Sequence, residues 1–152
     1  MTELTLQKNV FRDLEPLGRL LQDDRDLALV NPNAQAPFDP VEWHEKWLNE
    51  PDDASFYLLD AEGREVGFFA LRVGVGPEVR HLTYVFVAEE ARGGAGEVLA
   101  GFVEQAARDL DALTITLKVE LDNEPALSAY RSAGYEELSQ RGGMATMRLD
   151  LG

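Results

Sequence analysis

The sequence contains no cysteine among its 152 residues. That absence excludes disulfides, thiolate metal sites and a cysteine nucleophile. The sequence also lacks a run of about 18 apolar residues, which a membrane-spanning helix needs, so we expect no membrane span. The N-terminal residues are amphipathic and acidic, without the basic start and apolar stretch of a signal peptide. We therefore expect a cytoplasmic protein that is not processed.

Positive charge is scarce in this chain. It carries 14 lysines and arginines against 28 aspartates and glutamates, a formal net charge of −14. A field of that sign repels phosphate backbones, so nucleic-acid binding is disfavoured. It attracts polyamines, aminoglycosides or basic peptides. The acids are spread along the chain, however, which is also what a merely solvated surface looks like.

The length predicts one domain, residues 1–152, with a single core. Hydrophobic periodicity predicts strands at 2–9, 55–59, 65–73, 79–87, 113–119, 135–138 and 144–149, and helices at 13–21, 39–49, 98–110 and 123–133. Asp39 is the expected N-cap of the second helix, with Pro40 in its first turn. An early hairpin and a later strand–helix–strand crossover indicate a mixed sheet of the α/β (α+β) class.

A glycine-rich turn, Arg92–Gly96, lies between a predicted strand and a predicted helix. Closely spaced glycines let backbone amides point outward, and the helix adds the positive end of its dipole, so the turn is a candidate diphosphate cradle. A P-loop is excluded because Glu97 and Val98 stand where Lys and Ser or Thr are needed. The glycine spacing also fails the dinucleotide-binding fingerprint. An ordinary flexible turn remains the alternative.

A second pattern runs through the segment NEPALSAYRSAGYEEL. It reads N-x-x-A-x-x-x-Y-x-x-x-G-aromatic, and its members are Asn123, Ala126, Tyr130, Gly134 and Tyr135. The segment resembles the GNAT (Gcn5-related N-acetyltransferase) family at every position of this pattern.

The glycine-rich turn resembles the acetyl-CoA signature of the same family, Q/R-x-x-G-x-G/A. Gly94 and Gly96 fall on its two glycine positions. Ala91 stands at the Q/R position, and the arginine follows one residue later at Arg92, where its side chain leaves in a different direction. By motif the resemblance covers residues 79–135, and by element order it covers the whole chain.

The resemblance implies a single-domain GNAT fold: a mixed sheet of six to seven strands, flanked by about four helices and splayed at an acetyl-CoA site. Acetyl-CoA is the implied co-substrate, and no metal is implied. Its pantetheine arm pairs with the backbone of Val85, Phe86 and Val87 in this reading. Its diphosphate lies on the main-chain nitrogens of the turn and helix start, which are Arg92, Gly93, Gly94, Ala95, Gly96 and Glu97.

The resemblance also assigns two residues of the NEPALSAYRSAGYEEL segment. Tyr130 is the implied general acid toward the leaving thiolate, in a direct transfer to an amine without an acyl-enzyme. Its alternative is a core aromatic on an amphipathic helix. Asn123 is the implied contact to the cofactor arm, and its alternative is a plain N-cap.

The general base is not fixed by the sequence. Family members often place it near position 80, where this chain has Arg80, which cannot accept a proton. His81, Glu78 and Glu120 are candidates, and a water chain is another. Arg80 is a candidate ligand for a substrate carboxylate, whereas the overall acidity favours a cationic acceptor.

The partner is expected to be a small-molecule or peptide amine, bound by the early helices at residues 20–49. We expect a monomer or a homodimer. A non-catalytic acyl-CoA-binding module and an unrelated α/β interaction domain without a cofactor are the rival functions.

Overall fold

Runs of β-branched and aromatic residues, bounded by turns, form the sheet of this protein. The computed structural model describes residues 3–76, 78–92 and 95–152. Its strands are β1 Thr5–Lys8, β2 Ala54–Leu59, β3 Glu65–Val73, β4 Val79–Val87, β5 Thr114–Glu120, β6 Glu136–Arg141 and β7 Met144–Asp150. Its α-helices are α1 Glu15–Leu20, α2 Asp24–Val30, α3 Pro40–Glu42, α4 Ala95–Asp109 and α5 Glu124–Ser132. A π-helical turn, Trp43–Trp47, continues α3, and a 3₁₀ turn, Glu89–Ala91, follows β4.

The described strands form one mixed sheet in the order β1-β2-β3-β4-β5-β7-β6. β4 and β5 run parallel, and α4 connects them. Parallel neighbours need such a crossover, so the predicted strand–helix–strand unit is confirmed. β1 is antiparallel to β2, and β7 is antiparallel to both β5 and β6. The predicted α/β class with a mixed sheet is confirmed.

The described chain divides into two compact units. Unit 1 takes residues from Met1–Ala70 and Tyr84–Ala91, and unit 2 takes residues from Leu71–Thr83 and Arg92–Gly152. β3 and β4 each contribute to both units, because the division falls within these two strands.

The core of unit 1 lies between the early helices and strands β2 and β3. Its buried cluster comprises Leu14, Leu17, Leu21, Leu27, Trp43, Leu48, Tyr57, Phe68 and Ala70. Trp43 is fully buried, and its ring contacts Phe38 and Tyr84 with centroid separations of 5.3 and 4.9 Å. Trp43 is therefore a core residue of unit 1.

The core of unit 2 lies on one face of β5 and β7. Ile115, Leu117 and Val119 of β5 are buried, and Ala145 and Met147 of β7 are buried beside them. Helices α4 and α5 pack together and supply further buried residues, namely Val103, Ala106, Ala107, Leu127 and Tyr130. The residues that alternate with these along β5 lie on the opposite face.

Helix α2 was not predicted. It begins after Asp23, whose side chain accepts a hydrogen bond from the backbone N–H of Arg25 at 2.8 Å. Leu27 is its one buried residue. A helix with so narrow an apolar face carries no detectable 3.6-residue period.

The glycine-rich turn is shorter than predicted. Ala95 and Gly96 already belong to α4, which begins three residues before its first predicted apolar position, Val98. Gly93 and Gly94, which were predicted to bind the diphosphate, lie outside the described residues, as do Thr2 and Pro77.

Helices long and apolar enough to cross a membrane are absent from the described parts of the chain. A search of the same residues finds no cluster of His, Asp and Glu side chains suited to a metal ion.

Candidate functional site

Helix α5 begins and ends at residues of the predicted pattern. Asn123 is its N-cap, and the side-chain Oδ1 accepts a hydrogen bond from the N–H of Ala126 at 3.4 Å. Gly134 follows the helix with a φ of +102°, a conformation that favours glycine. Two positions of the family pattern therefore have local structural roles. The contact of Asn123 with a cofactor stays a prediction.

Tyr130 lies on the buried side of α5. Its side chain is 8% exposed, and its ring meets Tyr135 edge-on, with centroids 5.4 Å apart. Burial raises the pKa of the Tyr130 phenol to about 12. The phenol therefore keeps its proton at neutral pH. It is thus both a core aromatic and a protonated donor, so the two interpretations of Tyr130 are compatible.

Tyr135 brings a second phenol to the same place. Burial is the main cause that raises the pKa of its phenol above 10. Its hydroxyl is buried without a hydrogen-bond partner among the described residues. The sequence pattern asks only for an aromatic residue here, so this unpaired hydroxyl was not anticipated.

The described start of α4 fits an anionic ligand. The first N–H groups of a helix have no partner within it and carry its positive dipole end. Gly96 and Glu97 are exposed in this first turn, and Arg92 is exposed just before it. The carboxylate of Glu97 would repel a bound anion. Main-chain nitrogens must therefore supply most of the attraction for the anion.

Ala91, at the Q/R position of the signature, is buried in unit 1. Its side chain is 3% exposed and packs in a small apolar cluster with Val66 and Ala88 of unit 1. A long polar side chain does not fit such a cluster. Ala91 therefore has a packing role in unit 1.

The two glycines of α4 allow a matched test. A Cβ at Gly96 would lie 3.3 Å from the Cβ of Ala129 on α5, whereas a Cβ at Gly101 meets no described atom within 4 Å. We expect G101L to stabilise the protein by about 0.5–1 kcal/mol, because glycine is a poor helix former. We expect G96L to destabilise it by about 1–3 kcal/mol through overpacking. Urea unfolding of both variants measures the difference, and equal effects would contradict the close approach of α4 and α5.

Strand β4 contains a strained residue. Tyr84 has a φ of +55°, which is rare for a bulky side chain and interrupts the regular pleat. The neighbouring ring of Trp43 packs against it within unit 1. The partly buried Val85, Phe86 and Val87 follow directly. This irregularity precedes the three residues predicted to pair with pantetheine, and the predicted splay of the sheet stays a prediction.

The candidate bases lie in different surroundings in unit 2. Glu78 is exposed, and its backbone oxygen accepts hydrogen bonds from the N–H groups of Leu113 and Thr114 at 2.8 and 3.1 Å. Glu120 is exposed at the end of β5. His81 is partly buried, with its Nδ1 3.0 Å from the Oγ1 of Thr116.

Arg80 is drawn into the sheet. It is 4% exposed, and its Nη1 donates a hydrogen bond to the backbone oxygen of Leu71 at 3.2 Å. Its guanidinium therefore serves the packing of unit 2. The substrate role suggested for Arg80 stays a prediction, and this burial does not favour it.

Unit 1 contains an open pocket of about 400 Å³. It is lined by Arg12, Asp13, Leu14, Glu15, Gly18, Phe38, Pro40 and His44. Only Phe38, Pro40 and His44 belong to the segment at residues 20–49 that was expected to bind the acceptor. The lining mixes cationic and anionic groups, so its charge indicates neither kind of ligand.

Arg12 holds one wall of this pocket. Its Nη2 donates hydrogen bonds to the backbone oxygens of Glu50, Pro51 and Asp53, at 3.1 Å to Glu50 and 2.9 Å to Asp53. Its own φ is +55°, so the contacts also hold a strained backbone. Charge-assisted hydrogen bonds of this kind are the stronger ones in proteins.

We expect R12A to destabilise the protein by about 1.5–3 kcal/mol, the range for hydrogen bonds to a charged group. R12K keeps the positive charge but lacks the planar guanidinium with its several N–H donors, so it should recover only part of that loss. R25A is the matched control, because the Arg25 side chain is 91% exposed. The free energy of unfolding in urea is measured for all three variants. A loss in R12A as small as that in R25A would show that the hydrogen bonds of Arg12 do not stabilise the fold.

Comparison with known proteins decides the family. The model of the acetyltransferase (GNAT) family matches residues 18–135. The chain belongs to the GNAT family. The match includes α4, α5 and all the predicted catalytic and cofactor positions.

Known relatives agree with this GNAT assignment. The chain is 40% identical over 137 residues to a mycothiol acetyltransferase of Clavibacter michiganensis, covering 88% of this chain and 38% of the relative. The curated relatives that it matches are longer, and the chain spans 29% to 45% of their lengths.

Two solved structures share the GNAT fold. One is spermidine N-acetyltransferase from Vibrio cholerae in complex with CoA and spermine, with a TM-score of 0.75 at 18% identity, covering 97% of this chain and 95% of that one. The other is Campylobacter jejuni N-acetyltransferase PseH in complex with acetyl coenzyme A, with a TM-score of 0.71 at 14% identity, covering 99% of this chain and 100% of that one.

Three features of this GNAT chain were not predicted from the sequence. They are the strained φ of Tyr84, the unpaired hydroxyl of Tyr135, and the cations that surround His81, which are Arg72 and Lys118. None of the three leaves a local sequence signal, because each depends on contacts between distant parts of the chain.

Proposed function

We propose that this chain is an N-acetyltransferase that uses acetyl-CoA and transfers the acetyl group directly to a primary amine of a small molecule or peptide. The observation that carries the proposal is Tyr130, a buried and protonated phenol at the family position for the general acid. The family match over residues 18–135 supports it. Similar folds are known with CoA and with acetyl coenzyme A.

Acetyl-CoA supplies an activated thioester. In this proposal, the main-chain nitrogens of residues 92–97 hold its diphosphate and the backbone of Val85–Val87 pairs with its pantetheine arm. Asn123 contacts the same arm. The exposed first turn of α4 fits the diphosphate. Each of these contacts places the thioester without taking part in bond breaking.

The reaction exchanges one bond for another. The amine nitrogen forms a bond to the acetyl carbon, the carbon–sulfur bond breaks, and the electron pair leaves on sulfur. Tyr130 gives its proton to that sulfur, and the amine gives up one proton to a base. A backbone N–H is the donor we propose for the developing charge on the acetyl oxygen. The balance needs no metal and no redox partner.

His81 is the proposed base among the three candidates. Burial lowers the pKa of its imidazole below 6.5, and the cations Lys118 and Arg72 lower it further. The ring is therefore neutral at pH 7 and can accept a proton. Glu78 and Glu120 are exposed carboxylates without comparable surroundings.

A thiol-release assay over a panel of amines, with calorimetric titration of acetyl-CoA, tests the proposed function. We expect micromolar or tighter binding of acetyl-CoA, and CoA release that depends on at least one amine. Binding without release on any amine would instead favour a non-catalytic acyl-CoA-binding module. Failure to bind acetyl-CoA would overturn both and leave the unrelated interaction domain.

A further inference from the structure

Unit 2 presents a polar sheet face opposite its core. Along β5 the buried Ile115, Leu117 and Val119 face the core. Thr116 and Lys118 alternate with them and therefore point the other way, and Lys118 is exposed. The chain has a net charge of −14, yet several basic residues lie on the strands that neighbour Thr116 and Lys118.

A row of side chains crosses three strands on this face. His81 of β4 and Arg148 of β7 both pair with Thr116 of β5. Residues directly opposite each other in an antiparallel pair share a face. The 3.0 Å contact between His81 Nδ1 and Thr116 Oγ1 places His81 on that face as well. Lys118 lies two residues further along β5, on the same side.

Arg72 completes the group, which we call the basic strip: Arg72, His81, Lys118 and Arg148. Strands β3 and β5, which carry Arg72 and Lys118, are the two neighbours of β4 in the sheet. After burial, the charges that lower the pKa of His81 are those of Lys118 and Arg72. The side-chain ammonium of Lys118 forms no hydrogen bond or ion pair with any described residue. The positive charges of Arg72 and Lys118 act on the same neutral ring of His81, and a bound anion would offset them.

Acidic groups flank the strip without filling its centre. Asp150 pairs with Arg148 at 2.9 Å and accepts a hydrogen bond from Thr114 at 3.2 Å. Glu120 is exposed two residues beyond Lys118 on β5, and Glu136 of β6 pairs with Arg148 of β7. The centre around His81 and Lys118 therefore remains cationic.

We propose that the acceptor amine carries an anionic group, a carboxylate or a phosphate, which binds at the basic strip. This inference rests on the proposed acetyltransferase function. The acidity of the chain favours a cationic acceptor, whereas Arg80 in β4 favours an acceptor with a carboxylate. An amine that also carries an anionic group agrees with both. Arg80 is buried and donates a hydrogen bond to the backbone oxygen of Leu71. In this proposal the basic strip, which includes His81 of the same strand, makes the carboxylate contact that was predicted for Arg80.

Anion binding can be measured without any turnover. The chain has two histidines, so His44 serves as an internal reference for His81 in the same NMR spectrum. At constant ionic strength, titration with inorganic phosphate or acetate should shift the His81 signals saturably and raise the pKa of its imidazole. The His44 signals should follow only the bulk conditions. The H44N variant assigns the two rings.

Variants locate the anion. K118Q should weaken binding of the anion by about tenfold, the equivalent of one lost charged contact of about 1.4 kcal/mol. K46Q removes an exposed lysine of unit 1 and should change nothing. Equal shifts of both histidines, or equal affinities for the wild type and K118Q, would overturn the strip as an anion site.

Turnover tests the same inference on matched acceptors. α-Amino acids are compared with their carboxamides, and phosphoethanolamine with ethanolamine, so that the two pairs distinguish a carboxylate from a phosphate. Rates are referred to the concentration of unprotonated amine, because the pKa of the amine differs within each pair. We expect kcat/KM at least about tenfold higher for the anionic member of one pair, and loss of that preference in K118Q. Acetylation without any preference overturns the inference and leaves the proposed function intact. No acetylation at all counts against the proposed function, and the NMR titration then decides the strip alone.

Discussion

Replacing Tyr130 by phenylalanine is expected to lower kcat by about 10²–10⁴-fold, the usual contribution of a general acid. The thiolate then leaves without a proton from the enzyme. Because the ring remains, the Kd for acetyl-CoA should stay within about twofold, well under the roughly 1.4 kcal/mol that a tenfold change requires. Thiol release at saturating acetyl-CoA and calorimetry measure the two quantities.

Tyr135 supplies the matched control for this experiment. Its phenol is also buried, lies edge-on to Tyr130, and has no hydrogen-bond partner among the described residues. Removing an unpaired buried hydroxyl costs little or stabilises the fold. Y135F should therefore keep near-normal kcat. Equal losses in both variants would show that packing of the two rings matters and that Tyr130 is not the acid.

The largest effect on stability is expected from Trp43. W43A should lower the free energy of unfolding by about 3–5 kcal/mol, because it leaves a cavity where a large aromatic side chain was packed. The indole is fully buried and contacts Phe38 and Tyr84. Urea unfolding monitored by circular dichroism measures this loss.

Val41 is the control for Trp43, because it lies two residues earlier and is 59% exposed. V41A should change the free energy of unfolding by less than about 0.5 kcal/mol. W43F should lose less than W43A, partly because the indole N–H has no hydrogen-bond partner in the described chain. A W43A loss as small as that of V41A would contradict the central position of this ring.

The sequence predicted the strands with strong patterns most accurately. β3 and β4 have the predicted bounds, because each is rich in apolar, β-branched and aromatic residues and ends at a turn. The N-caps Asp39 and Asn123 are confirmed, because a capping side chain is a local signal.

Elements without a buried face were predicted poorly. Helix α2 was missed, since Leu27 is its one buried residue. β6 runs to Arg141, beyond the predicted end at Leu138, and all six of its residues are exposed. A strand that is exposed throughout shows no alternation from which its end can be read.

The residues of the candidate site also differ in whether the sequence predicts them. Tyr130 and Asn123 were found because a family pattern names them on one helix. The basic strip was not found, because Arg72, His81, Lys118 and Arg148 come from four strands and meet only through the register of the sheet. Sequence spacing carries no information about such a cluster.

In the proposed function, main-chain nitrogens at the start of α4 hold the diphosphate of acetyl-CoA. The most direct test is a two-dimensional amide NMR titration of the protein with acetyl-CoA, compared with the same titration using pantetheine, which lacks the diphosphate. We expect saturable shifts of the Gly96 and Glu97 amides with acetyl-CoA and none with pantetheine. Unmoved Gly96 and Glu97 amides, in a titration where acetyl-CoA binds elsewhere on the chain, would contradict it.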